Sequence, residues 1–445
     1  MLTDLSWLNT GEMFPPASER ERLNRCEKNR QLFEGEQAEV YKEAYKRIER
    51  VIGHWDNVVS YPVVLNYQKL MTLKIIDLLF GEPPTIHSEK DQKRVDDIIK
   101  ASGGLETFAV VAMDVSRYGD GLLYIRDGAI SMTQPPIWFP IVDPLDVRKK
   151  SMDVLAWTSK DILYVRIHES GYVTEQEYRI DTTVNGQIIQ GKTKDSGRMS
   201  TGLKESAIIQ VSNVKTSDRV TGIDDYTDID TIIQELGVRF GQIAKILDKH
   251  AEPSMQGPES ALEQDPVSGE WRFASGNYLK RGSNDDPEAS YITWEGQLES
   301  NFKHIENLMS HLYALSEMGK ALFGDIPAGQ VPSGSALRRL LIAPLAKVTR
   351  IRMRFDAAIK KAIMLASSMK GAPIDDVTIT WQDGLPGDPV EESKIITERT
   401  QKPSMSQRRA LMQYDGMSEA QADEEIAVIL DEEGQANGSP PQTFE

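Results

Sequence analysis

The chain has 445 residues, 40% of them apolar and 27% charged, which fits a globular protein of two to four folding units rather than one core. Fifty-one basic residues against 68 acidic ones give a formal net charge of −17, which argues against a clamp that holds DNA by neutralising phosphates but not against a protein past which DNA slides. The single cysteine, Cys26, rules out an intrachain disulfide and suits a reducing compartment. The start of the chain lacks a basic segment followed by an apolar run, so no export signal is expected. The most apolar stretch, 70–80, is short and broken by Lys74 and Asp77, so no membrane span is expected.

In chain order, residues 18–52 read as helix, being free of proline and rich in Glu, Lys, Arg and Ala. A second helix over 67–80 ends at Gly81-Glu82-Pro83-Pro84, a strong stop signal, and 90–103 reads as a polar surface helix. Short β-rich runs follow at 122–126, 138–142, 154–158, 162–168, 175–180 and 207–211. Turn signals such as Arg126-Asp127-Gly128 and Val184-Asn185-Gly186 separate them, which predicts an antiparallel sheet. Helix returns at 228–249, where Ile229, Ile232, Ile233, Leu236, Phe240, Ile243 and Leu247 form one stripe at 3–4 spacing. A turn-rich insert spans 252–295. A further helix over 298–317 carries Leu298, Phe302, Ile305, Met309 and Leu312 on one side.

The stretch 319–334 holds four glycines and two prolines and predicts an irregular loop, with Phe323, Ile326 and Val331 as apolar residues lacking a local core. The longest helical pattern, 335–369, contains Pro344, which predicts a kink. A strand at 377–381 and an acidic helical region lead to a Gly/Ser/Pro tail at 434–445. The long helix and its end carry nine basic residues, among them Arg338, Arg339, Lys347, Arg350 and Arg354, against Asp356 alone. Two readings stand: a basic face paired with acids of adjacent subunits, or proximity to DNA phosphates.

Gly186-Gln187-Ile188-Ile189-Gln190-Gly191-Lys192-Thr193 matches the phosphate-loop pattern at every fixed position. Its context opposes nucleotide binding. Such a loop joins a buried strand to a helix N-terminus, whereas Asn185-Gly186 signals a hairpin and no helical periodicity follows Thr193. Among the six histidines only His304 and His311 could share a helix face, so no metal site and no cofactor are expected. Acidic pairs at Asp224-Asp225 and Asp285-Asp286 read as turn and N-cap residues before metal ligands.

Three motifs in order carry a family resemblance. Phe80-Gly81-Glu82-Pro83-Pro84 follows an apolar helix; Gly222-Ile223-Asp224-Asp225-Tyr226-Thr227-Asp228 leads into the first of the paired helices; Pro332-Ser333-Gly334-Ser335-Ala336-Leu337 opens the long helix. With the order helix, insert, helix, loop, long helix, residues 20–430 resemble the portal proteins of long-tailed double-stranded-DNA bacteriophages.

The resemblance implies an α+β portal fold. It has a mixed α/β wing (1–226), a two-helix stem (227–250 and 297–318), a small α/β clip (251–296) and a tunnel loop (319–334). A long kinked wing helix with a strand (335–388), a helical crown (389–433) and a flexible tail (434–445) complete it. It implies a homo-oligomeric ring of about twelve subunits, located at one capsid vertex of the virion and assembled in the host cytoplasm. Double-stranded DNA passes through the channel, and the large terminase, the major capsid and scaffold proteins and a head-tail adaptor are the partners. By place in the chain, Lys320, Phe323, Asp325, Ile326, Gln330, Val331 and Ser333 would face the channel. A stem helix of 22 residues would be about 33 Å long at ~1.5 Å per residue, and its stripe needs neighbouring copies for burial. The function implied is non-enzymatic. The rivals are a phosphate-loop packaging ATPase and a capsid or scaffold component.

Overall fold

The computed structural model describes residues 1–51, 58–183, 186–251, 255–256, 262–264, 268–269, 271–273, 290–291, 298–324, 339–382, 393–394, 397–398, 405–414, 417 and 419–437. The chain divides into two compact units. One comprises residues 1–326 with 343–383, the other 327–342 with 384–445.

Helix α1 (Arg20–Glu34) is shorter than the helix predicted over 18–52. Gly35 adopts a left-handed conformation (φ 97°), and the amides of Gly35 and Glu36 bond back to Leu32 and Gln31, closing the helix. Composition alone hides this stop, because Glu and Gln surround the glycine. Short turns then carry the chain to a small strand pair, Arg50–Val51 with Val58–Val59. Helix α2 (Tyr67–Phe80) keeps its predicted bounds, with Asn66 capping it through its side chain on the Lys69 amide (3.0 Å). Strand β1 (Thr85–Ser88) and helix α3 (Gln92–Ala101) follow.

Helix α4 (Glu106–Tyr118) has no counterpart in the sequence expectations. Phe108, Val111, Ala112 and Val115 are buried along one helical stripe, a period present in the sequence and missed there. Gly119 closes it in the left-handed region.

Strands β2 (Asp120–Arg126) and β3 (Ala129–Thr133) form a hairpin. Its two turn residues, Asp127 and Gly128, both have positive φ, as an Asp-Gly turn of the hairpin type requires. Strands β4 (Trp138–Asp143), β5 (Asp146–Ser159), β6 (Ile162–Glu169), β7 (Tyr172–Asp181) and β8 (Gln187–Asp195) make an antiparallel meander in sequential order. Strand β9 (Ile208–Ser212) joins β2 and β3 in a separate sheet.

The meander buries both faces. Phe139, Ile141, Val154 and Ala156 pack under Leu2, Trp7 and Leu8, while Trp138, Val142 and Leu155 pack with Leu122, Ile208 and Val220. This double burial explains the unbroken apolar run of β4. Within it Asp153 is fully buried but satisfied. It accepts from Trp138 Nε1 (2.7 Å), Ser206 Oγ (2.6 Å) and Lys150 Nζ (2.6 Å).

Helices α5 (Asp230–Ala251) and α6 (Leu298–Leu315) pack against each other. Between them the described residues form two short antiparallel pairs, Met255–Gln256 with Ser290–Tyr291 and Leu262–Gln264 with Trp271–Phe273. Helix α7 runs over Ile342–Met369 with Pro344 in its first turn; Arg339 and Leu340 just before it are also helical and Leu341 is a turn, so the helical run is interrupted within one turn of the proline. Residues 335–338 of the predicted long helix lie outside the described residues. Strand β10 (Val377–Thr380) pairs with β1. Phe80, at the end of α2, meets Phe355 of α7 and Trp381 at ring distances of 5.6 and 5.8 Å.

In the second unit, α8 (Gln407–Tyr414) packs against α9 (Glu419–Asn437) through buried Ala410 and Ala422. Arg408 pairs with Glu419 (2.8 Å) and with Asp423 (2.5 Å). Helix α9 continues to Asn437, beyond position 434 where the tail was predicted to begin.

Candidate functional site

The paired helices change character along their length. On α5, Ile233 and Leu236 are buried, Ile232 and Phe240 half-buried and Ile243 buried, but Leu247 is 55% exposed. On α6, Phe302 is 50% exposed, Met309 half-buried, and Ile305 and Leu312 buried. The apolar stripe is therefore satisfied by the chain's own core at one end of the pair and open at the other.

A polar and steric clasp holds the buried end. Asp230 accepts from Lys28 and from the Tyr41 hydroxyl, and Arg47 pairs with Glu235 (2.9 Å). Burial, and then the Asp230 charge, push the Tyr41 phenol far up. Gly237 and Gly241, one turn apart, let the N-terminal segment lie against the helix. A Cβ at Gly241 would stand 2.5 Å from both Ile48 Cδ1 and the Tyr61 carbonyl, and one at Gly237 would stand 2.3 Å from the Tyr45 hydroxyl.

The segment leading into α5 has a task for each residue. Gly222 and Gly119 lie back to back, so that a Cβ on Gly222 would meet the Gly119 carbonyl at 2.1 Å. Asp224 is buried and accepts the amides of Tyr226 and Thr227, each at 2.9 Å, which caps the turn; burial pushes its carboxyl up. Tyr226 is fully buried, its hydroxyl on Thr72 (2.9 Å), which in turn meets Ser116 (3.0 Å). Asp225 does more than turn the chain. It forms a buried ion pair with Lys347 of α7 (2.8 Å) and accepts from Asn213 (2.9 Å). The same ammonium donates to the Ser316 carbonyl just past α6 (3.0 Å). One lysine thus ties α7 to the base of both paired helices.

Much of the basic helix is engaged within its own chain. Lys347 is buried, Arg350 pairs with Glu317, and Arg354 donates to the Ser212 carbonyl (2.9 Å). Arg352 donates to the Leu78 carbonyl (2.7 Å) and lies over the Trp381 ring. Lys360 and Lys361 pair with Asp356 and Glu205. Four of these cations, Lys347, Arg350, Lys360 and Lys361, meet acids of the same chain. Arg339 is exposed, and Arg338 lies outside the described residues.

Comparison with known proteins decides what these parts belong to. Residues 16–439 match the family described as phage portal protein, SPP1 Gp6-like. The chain belongs to that portal family. Its role is that of a portal connector of the virion, and the family is structural rather than enzymatic. No curated protein matches. Solved structures similar to the chain include the virion of a native gene transfer agent particle, at 11% identity and a TM-score of 0.46. The neck of the native particle computed with C12 symmetry follows, at 13% and 0.46, and the neck of the empty particle computed with C6 symmetry, at 11% and 0.47. Each match covers 78% of this chain and 88% of that chain.

The segment read as a portal tunnel loop begins differently from expectation. Gly319–Leu322, with Lys320, forms one helical turn. Phe323 is not an orphan. Its ring packs half-buried between Tyr67 (5.7 Å), far away in the chain, and Tyr313 (5.2 Å) of the preceding helix. Asp325, Ile326, Gln330, Val331 and Ser333 lie outside the described residues.

The phosphate-loop match sits on strand β8. Lys192 pairs with Asp195 (3.1 Å) and Thr193 donates to the Glu177 carbonyl (3.0 Å), so these side chains serve a sheet edge and no helix dipole faces them. His304 and His311 are exposed on α6. Among the described residues no cluster of His, Cys, Asp and Glu could hold a metal, and no helix is long and apolar enough to cross a membrane. Asp285 and Asp286 lie outside the described residues.

Proposed function

We propose that copies of this chain close into a ring of about twelve subunits, whose axial channel conducts double-stranded DNA at one capsid vertex. The family match over residues 16–439 carries this reading. The open end of the α5–α6 pair supports it, because Leu247 and Phe302 are exposed there as residues covered by another copy would be. On this reading the large terminase docks on the ring during packaging, a head-tail adaptor replaces it, and the major capsid and scaffold proteins surround it. Assembly takes place in the host cytoplasm. The subunit itself performs no catalysis.

The segment carrying Asp325, Ile326, Gln330, Val331 and Ser333 is proposed to face the DNA. Lys320 and Phe323 belong to its anchored base, as the packing of Phe323 on Tyr67 and Tyr313 supports. Deleting residues 324–329 should leave ring assembly intact and impair DNA packaging or retention. Full-length packaging with normal retention in that variant contradicts the assignment.

A further inference from the structure

The β4–β5 hairpin ends in two residues, Pro144-Leu145, bracketed by the paired Asp143 and Asp146. Leu145 is 96% exposed, more than any other large apolar side chain among the described residues. The tip is stiff. Asp143 accepts the Leu145 amide (2.9 Å), and Asp146 accepts the Arg148 amide (3.1 Å) and its Nε (2.9 Å). A rigid turn that displays a leucine to solvent is a knob without a hole.

An apolar hole lies where that sheet meets the neighbouring one. A cleft of about 500 Å³ opens between β3 and the far end of β5. Its floor is Ile137, Leu155 and Trp157, continuous with the core, and exposed Met132 stands at its edge. The two charged groups lining it, Arg126 and Arg166, are both cations. Glu175 holds Arg166 (2.8 Å), whereas the ion pair of Arg126 is with its exposed neighbour Asp127 (3.3 Å). On the knob Asp146 is held by Arg148, which leaves Asp143 beside the apolar tip as the acid with no ion pair among the described residues, and on the cleft Arg126 stands beside an apolar floor.

The knob cannot fill its own cleft. Leu145 stands beside the Asp143–Asp146 pair, and Leu155 lies opposite Trp138, five β4 positions away, which is roughly 17 Å at ~3.3 Å per residue, beyond the reach of a leucine side chain. The two patches are different surfaces of one subunit, so a contact between them is head-to-tail, the type that closes rings. We propose that the Pro144-Leu145 tip of each subunit seats in the Met132/Trp157 cleft of the next, with Asp143 facing the next subunit's Arg126. This rests on the ring reading given above.

The test uses the full chain, assembled, with rings verified by light scattering. Leu145→Cys combined with Met132→Cys, treated with a short bis-maleimide, should give a ladder of covalent multimers. Each single variant should give none, the native Cys26 being buried. Asp143→Arg or Arg126→Asp alone should raise the protein concentration needed for assembly at least tenfold, and the two together should return it to within threefold of the native chain. Rings that form without a ladder, or charge reversals that fail to rescue one another, overturn the knob-and-cleft contact and leave the ring standing. A native chain that forms no ring at any concentration overturns both.

Discussion

Replacing Lys347 by methionine tests the junction at the base of the paired helices. The substitution keeps the length of the side chain and removes its charge. Lys347 and Asp225 retain only 9% and 5% side-chain exposure, so the pair is desolvated. Removing one partner of a buried pair costs about 3–5 kcal/mol, because the other charge stays buried alone. Asn213 still donates to Asp225, which puts Lys347→Met at the lower end, about 3 kcal/mol. Asp225→Asn should cost about 2 kcal/mol, since the ammonium keeps the Ser316 carbonyl. The double variant leaves no buried charge unpaired, and its cost should fall about 2 kcal/mol short of the sum. Urea unfolding followed by tryptophan fluorescence measures all three. Additive costs, with a coupling under about 0.5 kcal/mol, would refute the claim that this pair fastens α7 to the helix pair.

Gly241→Ala should destabilise by about 1–2 kcal/mol despite the better helix propensity of alanine, because its Cβ meets the Tyr61 backbone at 2.5 Å; a stabilised variant in the same unfolding assay contradicts that contact. His168 is buried against Tyr124 (5.3 Å), and neither ring nitrogen finds a hydrogen-bond partner among the described residues. Burial holds it down to about 4, against the influence of Asp153 across the sheet and of Glu175, with Arg166 and Lys150 adding to the depression. The unfolded chain takes the proton near pH 6.5 and the folded chain only near 4, so stability conferred above pH 6.5 is lost as pH falls through that window, by roughly 3 kcal/mol. His168→Phe should therefore lose less stability than the native chain between pH 7 and 4.5, and equal losses contradict this.

Local signals were legible where one side chain or one period decides the backbone. The Gly81-Glu82-Pro83-Pro84 stop ends α2 at Phe80, the Asp-Gly turn joins β2 to β3, and the 3–4 stripes locate α5 and α6 within two residues of their starts. The rest depends on contacts that sequence distance conceals. Helix α4 carries three valines, whose β-propensity competes with its helical stripe. Lys347 and Asp225 meet across the fold, a contact that the local sequence of neither announces. Phe323 looks stranded between glycines until Tyr67 and Tyr313 close on it. The exposed first half of β5 carries Arg148, Lys149 and Lys150, which hides a long strand behind a charged, loop-like composition.

The ring proposed for this portal chain has an outline visible at low resolution. Negative-stain electron microscopy of the purified chain, classified along the ring axis, tests it most directly. The account predicts closed rings of about twelve subunits with a stain-filled central hole wide enough for duplex DNA. Particles that stay monomeric across protein and salt concentration, or that pack without an axial opening, would contradict it.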